Sequence, residues 1–413
     1  MSLDTIAAIT PTHYEKTYRQ LSWRLYAGTL LFYVSCIYLF PRIPGIPLRI
    51  EDLFFPLFLI IAILSLDGLP KKVTLPALLY CLYILIGSLV GILLQRIDIK
   101  GLSVSVKEIQ YILGFFLLYS CCNKEQDVAL KTIQSLVLVL WIPALYGCFM
   151  VVTNQIGYYG ISALNEKSPS LSGQMYFSGF VLSLTLFTFF RGKSYAALAL
   201  MMFVSASMVG SRTAVAMLLL FFLVRALKFN WKLVRFIVLF ILFVYAASFL
   251  MGFYLDNFYD GVSVFDRSVR RANSLFSLQQ SLAPRVDSWV EHRFHTDIRP
   301  VSALFGYGRG YENMLPDGTW RGFELNVDSQ YIRDFFEIGL LGMVLKVSVF
   351  LIIASSMKGP YFNIFIAYLV CYAAAGVTME LFNLSKPGAL FWLVAALCLV
   401  CSKFDPKIKD NNQ

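Results

Sequence analysis

Charge is scarce in this chain. Asp, Glu, Lys and Arg make up 15% of its 413 residues, and histidine occurs three times. A soluble domain usually carries about a quarter charged residues, so that class is excluded first. A disulfide framework is missing too. Cys36, Cys81, Cys121, Cys122, Cys148, Cys371, Cys398 and Cys401 all lie within or at the ends of apolar runs. Cys398 and Cys401 have CxxC spacing, but they sit in a hydrophobic stretch without histidines in a zinc spacing. There is no internal repeat and no low-complexity segment. Residues 1–21 are polar and show no small-residue cleavage site, so no removable signal peptide is expected. The net charge of +10 does not argue for nucleic acid, because cytoplasmic loops of membrane proteins collect Lys and Arg.

What is present is apolar. Hydrophobic residues make up 58% of the chain. Apolar runs cover about 22–40, 48–66, 75–94, 104–121, 129–152, 174–190, 194–209, 212–227, 233–254, 329–356, 361–381 and 387–402. A span needs roughly 20 apolar residues, so the expectation is an all-α integral membrane protein with about 12 transmembrane helices. It divides into nine spans over 1–254, one long loop over 255–328, and three spans with a tail over 329–413. With a cytoplasmic N-terminus, the inside segments hold seventeen Lys and Arg residues and the short outside loops hold six. This asymmetry places both termini in the cytoplasm and the long loop outside.

The stretch from Pro284 to Gly342 is the polar exception. It contains His292 and His295, and it closes by running into an apolar segment. From Leu255 to Val327 the loop has eight arginines and no lysine. Arginine suits two-point contact with carboxylate or phosphate. These arginines therefore either pair with neighbouring acids or grip an anion. Arg212, in the GSRT turn at 210–213, has no nearby acid in sequence and faces the same side. Arg49 with Asp52, and Lys107 with Glu108, open other spans, where ionisable groups are paired or face a polar cavity. The GYGRG sequence at 306–310 has the spacing of a nucleotide loop but follows no strand. It reads as a tight turn that brings backbone close to a ligand or a helix. Arg333 and Glu337 share a helical face, as an ion pair or as a substrate contact. Asp328 precedes an apolar periodic run and has the position of a helix N-cap.

In order along the chain, LRIEDLF at 48–54, KEIQYILGF at 107–115, GSRTA at 210–214, Arg285 with Trp289, FGYGRGY at 305–311 and DSQYIRDFFEIGLLG at 328–342 resemble the O-antigen polymerase and ligase superfamily of bacterial envelope glycosyltransferases. Ligases of that group usually have a histidine where this chain has Asp328, which favours the polymerase (Wzy-type) branch. The resemblance implies a GT-C-like inner-membrane enzyme that needs neither cofactor nor metal. It would act on undecaprenyl-pyrophosphate-linked oligosaccharide in contact with membrane lipid, with a chain-length regulator (Wzz-like) as partner and no nucleic acid. On that footing Asp328 is the candidate base, with His292 in reserve. Arg212, Arg285 and Arg309 are candidate pyrophosphate ligands. Arg49, Lys107, Tyr331, Arg333 and Glu337 are further candidate substrate contacts. Trp289, Tyr307, Tyr311 and Trp320 are candidates for stacking on sugar rings. The alternatives are a ligase of the same fold and a lipid-linked oligosaccharide flippase.

Overall fold

The structure is a computed structural model. It describes residues 70–97, 99–122, 138–149, 156–157, 160–161, 173–190, 192–208, 300–311, 329–377, 381–382 and 385–404, together with Pro56 and Ile60. The described elements are α1 (Lys71–Leu93), α2 (Ile99–Cys122), α3 (Leu138–Phe149), α4 (Gly173–Phe190), α5 (Lys193–Met208), α6 (Pro300–Phe305), α7 (Gln330–Ser355), α8 (Gly359–Ala375) and α9 (Ser385–Phe404). Apart from these helices, the described residues hold one two-residue antiparallel pair, Ile156–Gly157 with Gly160–Ile161. The helices fall on the apolar runs of the sequence, with α6 an addition inside the stretch read as a loop. Three of the described segments are long and apolar enough to cross a membrane: Lys71–Leu93, Gly101–Ser120 and Gln330–Ser355.

The distribution of side chains is the reverse of a soluble helix. Along α1, Val73, Ala77, Tyr80, Ile84, Ser88 and Gly91 face inward. Leu75, Leu79, Leu82, Ile86, Leu89 and Leu93 face outward, Leu93 being 80% exposed. Along α7, Leu340, Val344, Val347 and Leu351 are exposed, while Arg333, Asp334, Glu337 and Lys346 are buried. Large apolar residues outside with small and polar ones inside is the arrangement expected where the surroundings are hydrocarbon.

α4 and α5 form a hairpin through Gly192, and α9 packs on α2, α4 and α8. Residues 387–400 of α9 are all buried. An aromatic cluster ties α7, α8 and α9 together: Phe391 lies 5.0 Å from Phe350, 4.8 Å from Phe382 and 5.7 Å from Tyr368, centroid to centroid. Such pairs contribute roughly 0.5–1.5 kcal/mol each beyond their buried area. α7 packs on α1 and on α6, and α1 packs on α2. The corner where α1, α2, α6 and α7 meet carries the polar chemistry.

Candidate functional site

A break in α7 builds the site. Gly339 has φ 65° and ψ −179°, a backbone region open essentially to glycine alone. A broken helix leaves carbonyls without their intrahelical partners. Here inserted groups take three of them. Tyr307 N–H donates to the Phe336 carbonyl at 2.8 Å and Gly308 N–H to the Glu337 carbonyl at 2.9 Å. The Tyr83 hydroxyl donates to the Ile338 carbonyl at 2.8 Å. The GYGRG loop therefore enters the gap in the helix. Its glycines allow the approach: a Cβ at Gly339 would lie 2.5 Å from both the Leu304 oxygen and the Gly306 nitrogen. The sequence reading of this loop as a tight turn offered a ligand or a helix as its neighbour, and helices occupy that place.

The loop carries Arg309 into a buried ionic network. Its Nη2 lies 2.7 Å from Glu108 Oε2, and its Nη1 lies 2.6 Å from Asp334 Oδ1 and 3.0 Å from Glu337 Oε2. Lys346 Nζ reaches Asp334 Oδ2 at 2.9 Å and Glu108 Oε1 at 3.4 Å. Arg333 Nε reaches Glu337 Oε1 at 3.1 Å. Three cations thus face three carboxylates, and every member is less than a tenth exposed. Neutral donors add further bonds to the carboxylates. The Tyr80 hydroxyl donates to Glu108 at 2.6 Å, Gly310 N–H to Glu337 at 3.0 Å, and Gln330 Nε2 to Asp334 at 2.9 Å. Gln330 Oε1 also accepts from Leu381 N–H and Phe382 N–H, which ties the start of α7 to the segment after α8. Buried charges persist only when paired and hydrogen-bonded, and removing one partner from such a set typically costs about 3–5 kcal/mol.

Several sequence-predicted residues meet here. Arg309 was expected to grip a pyrophosphate, yet it is wholly buried and both terminal nitrogens are held by carboxylates of α2 and α7. Arg333 and Glu337 form the intrahelical pair, and Glu337 in addition takes Arg309. Tyr331 is 36% exposed and donates to the Ala373 carbonyl of α8. Lys107 is half-buried on α2. Its sequence neighbour Glu108 turns instead to Arg309 and Lys346. Asp328, Arg212, Arg285, His292 and Arg49 lie outside the described residues, as do Trp289 and Trp320. The N-cap of α7 is Ser329, one residue after the Asp328 expected from sequence, and it makes no side-chain cap bond.

The sequence reading missed Tyr80, Gln330, Asp334 and Lys346. Lys346 gave a usable signal: a lone ionisable residue in the middle of an apolar run demands a buried partner. At the rim of the network, the Tyr307 and Tyr311 rings stack at 4.5 Å and the Arg96 guanidinium lies 5.1 Å from the Tyr307 centroid. Among the described residues there is no group of three His, Cys, Asp or Glu side chains that could hold a metal ion.

No protein-family model matches the chain, and no curated protein matches it.

Proposed function

We propose that the protein polymerises undecaprenyl-pyrophosphate-linked repeat units of O-antigen, or of a related surface polysaccharide, at the outer face of a bacterial inner membrane. The reading starts from a membrane-type chain of about twelve GT-C-like spans. The observation that carries it is the ordered set of polar motifs, two of which, FGYGRGY and DSQYIRDFFEIGLLG, interlock at the break in α7. This junction fixes the start of α7, directly after Asp328, against α1, α2 and α8. A catalytic group needs such rigid support to hold a near-attack geometry.

In the proposed reaction, a hydroxyl of the incoming lipid-linked unit attacks the anomeric carbon of the growing chain. The bond from that carbon to pyrophosphate oxygen breaks, and undecaprenyl pyrophosphate leaves with the electron pair. Asp328 accepts the hydroxyl proton, with His292 as the reserve base. Arg212 and Arg285 stabilise the charge that develops on the leaving pyrophosphate. Arg309 acts at one remove, by pinning the loop. No metal or cofactor takes part in this scheme.

A second reading, a flippase for the same lipid-linked oligosaccharide, draws on the ionisable residues inside α2 and α7, since transporters place such groups along their path. Among the described residues, Glu108, Arg333, Asp334, Glu337 and Lys346 close on one another and on Arg309 in a neutral set, which favours the enzyme. A strain lacking the protein separates the readings. Single repeat units on the lipopolysaccharide core are expected. Lipid-linked repeats trapped in the cytoplasmic leaflet would favour the flippase. Long chains left on the carrier would favour the ligase of the same fold.

A further inference from the structure

The stretch 255–328 was read from sequence as an aqueous outer loop, but residues 300–311 have the construction of a membrane-embedded segment. Their depth can be measured along α1. Tyr83 lies about 18 Å from the Lys71 end of α1 and about 15 Å from the Leu93 end, at 1.5 Å per residue. The single proton of its hydroxyl is shared between the Phe305 carbonyl at 3.1 Å and the Ile338 carbonyl at 2.8 Å. The end of α6 is therefore level with the middle of a helix long enough to cross the roughly 30 Å hydrocarbon layer. The α7 break gives the same level, because Gly339 packs on Leu304 about 14 Å from the start of α7.

The outer face of α6 is apolar and uncovered by the described residues. Val301 is 69% exposed, Leu304 44% and Phe305 49%. In water those side chains would cost free energy. Beside Leu82, Ile86 and Leu340, which are exposed at neighbouring levels, they continue the hydrocarbon-facing surface of α1 and α7.

The return strand meets the second requirement. Irregular backbone is tolerated at membrane depth only where it is enclosed in protein and its polar groups are bonded. Six consecutive amides satisfy this. Gly306 donates to Ser302, Tyr307 to Phe336, Gly308 to the Glu337 carbonyl, Arg309 to Ser88 Oγ, Gly310 to the Glu337 carboxylate and Tyr311 to Gly308. The only full charge on the segment is that of Arg309, and the buried carboxylates neutralise it.

We propose that residues 300–311 form a re-entrant segment: α6 dips to about mid-bilayer depth with Val301, Leu304 and Phe305 against lipid acyl chains, and the glycine loop returns through the helices. This rests on the membrane reading alone and is independent of the polymerase assignment.

Spin labels test it. The native cysteines are replaced, and single labels are placed at Val301, Leu304, Leu82 and Gln95 in full-length protein in phosphatidylethanolamine and phosphatidylglycerol vesicles. Leu82 marks the middle of α1 and Gln95 lies just past its end; both are exposed. Collisions with oxygen report lipid, and collisions with a water-soluble nickel chelate report water. The Leu304 and Val301 labels are expected to match Leu82, with high oxygen collision and loss of nickel collision. Nickel collision as frequent as at Gln95 would overturn the proposal. Low collision with both reagents would also overturn it, since a protein surface would then cover α6. Should the Leu304 label disturb folding, Val301, the more exposed of the two, carries the same decision.

Discussion

Replacing Lys346 by Met removes one of the three cations from the buried network and leaves three carboxylates facing two guanidinium groups. Asp334 loses a partner at 2.9 Å and Glu108 one at 3.4 Å. Both carboxylates are nearly inaccessible, so water cannot replace the ammonium. The cost is that of one uncompensated buried charge, about 3–5 kcal/mol. Adding Glu108→Gln restores the balance at two cations and two carboxylates. The new amide oxygen can still accept from the Tyr80 hydroxyl, and Arg309 keeps Asp334 and Glu337. The double variant should therefore recover much of the loss, with a coupling on the order of 1–3 kcal/mol. Because large proteins often unfold irreversibly, the assay is the half-life of the monodisperse form in detergent at a fixed elevated temperature. All four corners of the mutant cycle are compared. The single Lys346→Met variant should be the shorter-lived of the two proteins that retain Glu108. If Lys346→Met is as long-lived as wild type, or if the double variant decays faster than the two singles combined predict, charge balance is not what holds this corner together.

Gly339→Ala should destabilise by about 1–3 kcal/mol, because alanine is strained at that backbone conformation and its Cβ would meet the Leu304 and Gly306 backbone. Gly114→Ala in α2 is the control, since a Cβ there meets nothing within 4 Å, and it should be neutral or stabilising by up to about 1 kcal/mol; the same half-life assay reads both. Arg212→Ala and Arg285→Ala should each lower polymer formation about a hundredfold or more, near 3 kcal/mol of charge stabilisation, without loss of expression. Normal long-chain glycan from those variants would remove both residues from the site. Ser329, not Asp328, holds the N-cap position of α7, so Asp328→Asn and Asp328→Ser leave the cap in place and expression should hold, while turnover should be lost if Asp328 is the base. Turnover in Asp328→Asn at wild-type expression would pass the base role to His292 or to the substrate.

The helices were legible because hydropathy is a local property. The run at 329–356 is helical over Gln330–Ser355, and the run at 75–94 over Lys71–Leu93. The break in α7 was not legible. Glycine is common in apolar helices, so EIGLLG gives no sign that Gly339 leaves the helical region while Gly342 stays in it. The Arg333 and Glu337 pair was visible from its spacing of four. The union of Arg309 with Glu108 and Lys346 was not, because it depends on three distant segments meeting. Lys346 did announce a need for a partner by its place in an apolar run, though not which partner. The burial of Arg309 shows why residue type alone is ambiguous. The same fork that suits a phosphate also suits carboxylates, and only the packing around it decides.

The central claim is chemical, and purified protein tests it most directly. Full-length protein in vesicles would be given undecaprenyl-pyrophosphate-linked repeat units from its own cells, with no metal and no nucleotide sugar added. The account predicts a ladder of lengthening glycans on the carrier, one undecaprenyl pyrophosphate released for each bond formed, and loss of both in Arg285→Ala. Movement of the lipid-linked unit across the vesicle membrane with no bond formed would contradict it.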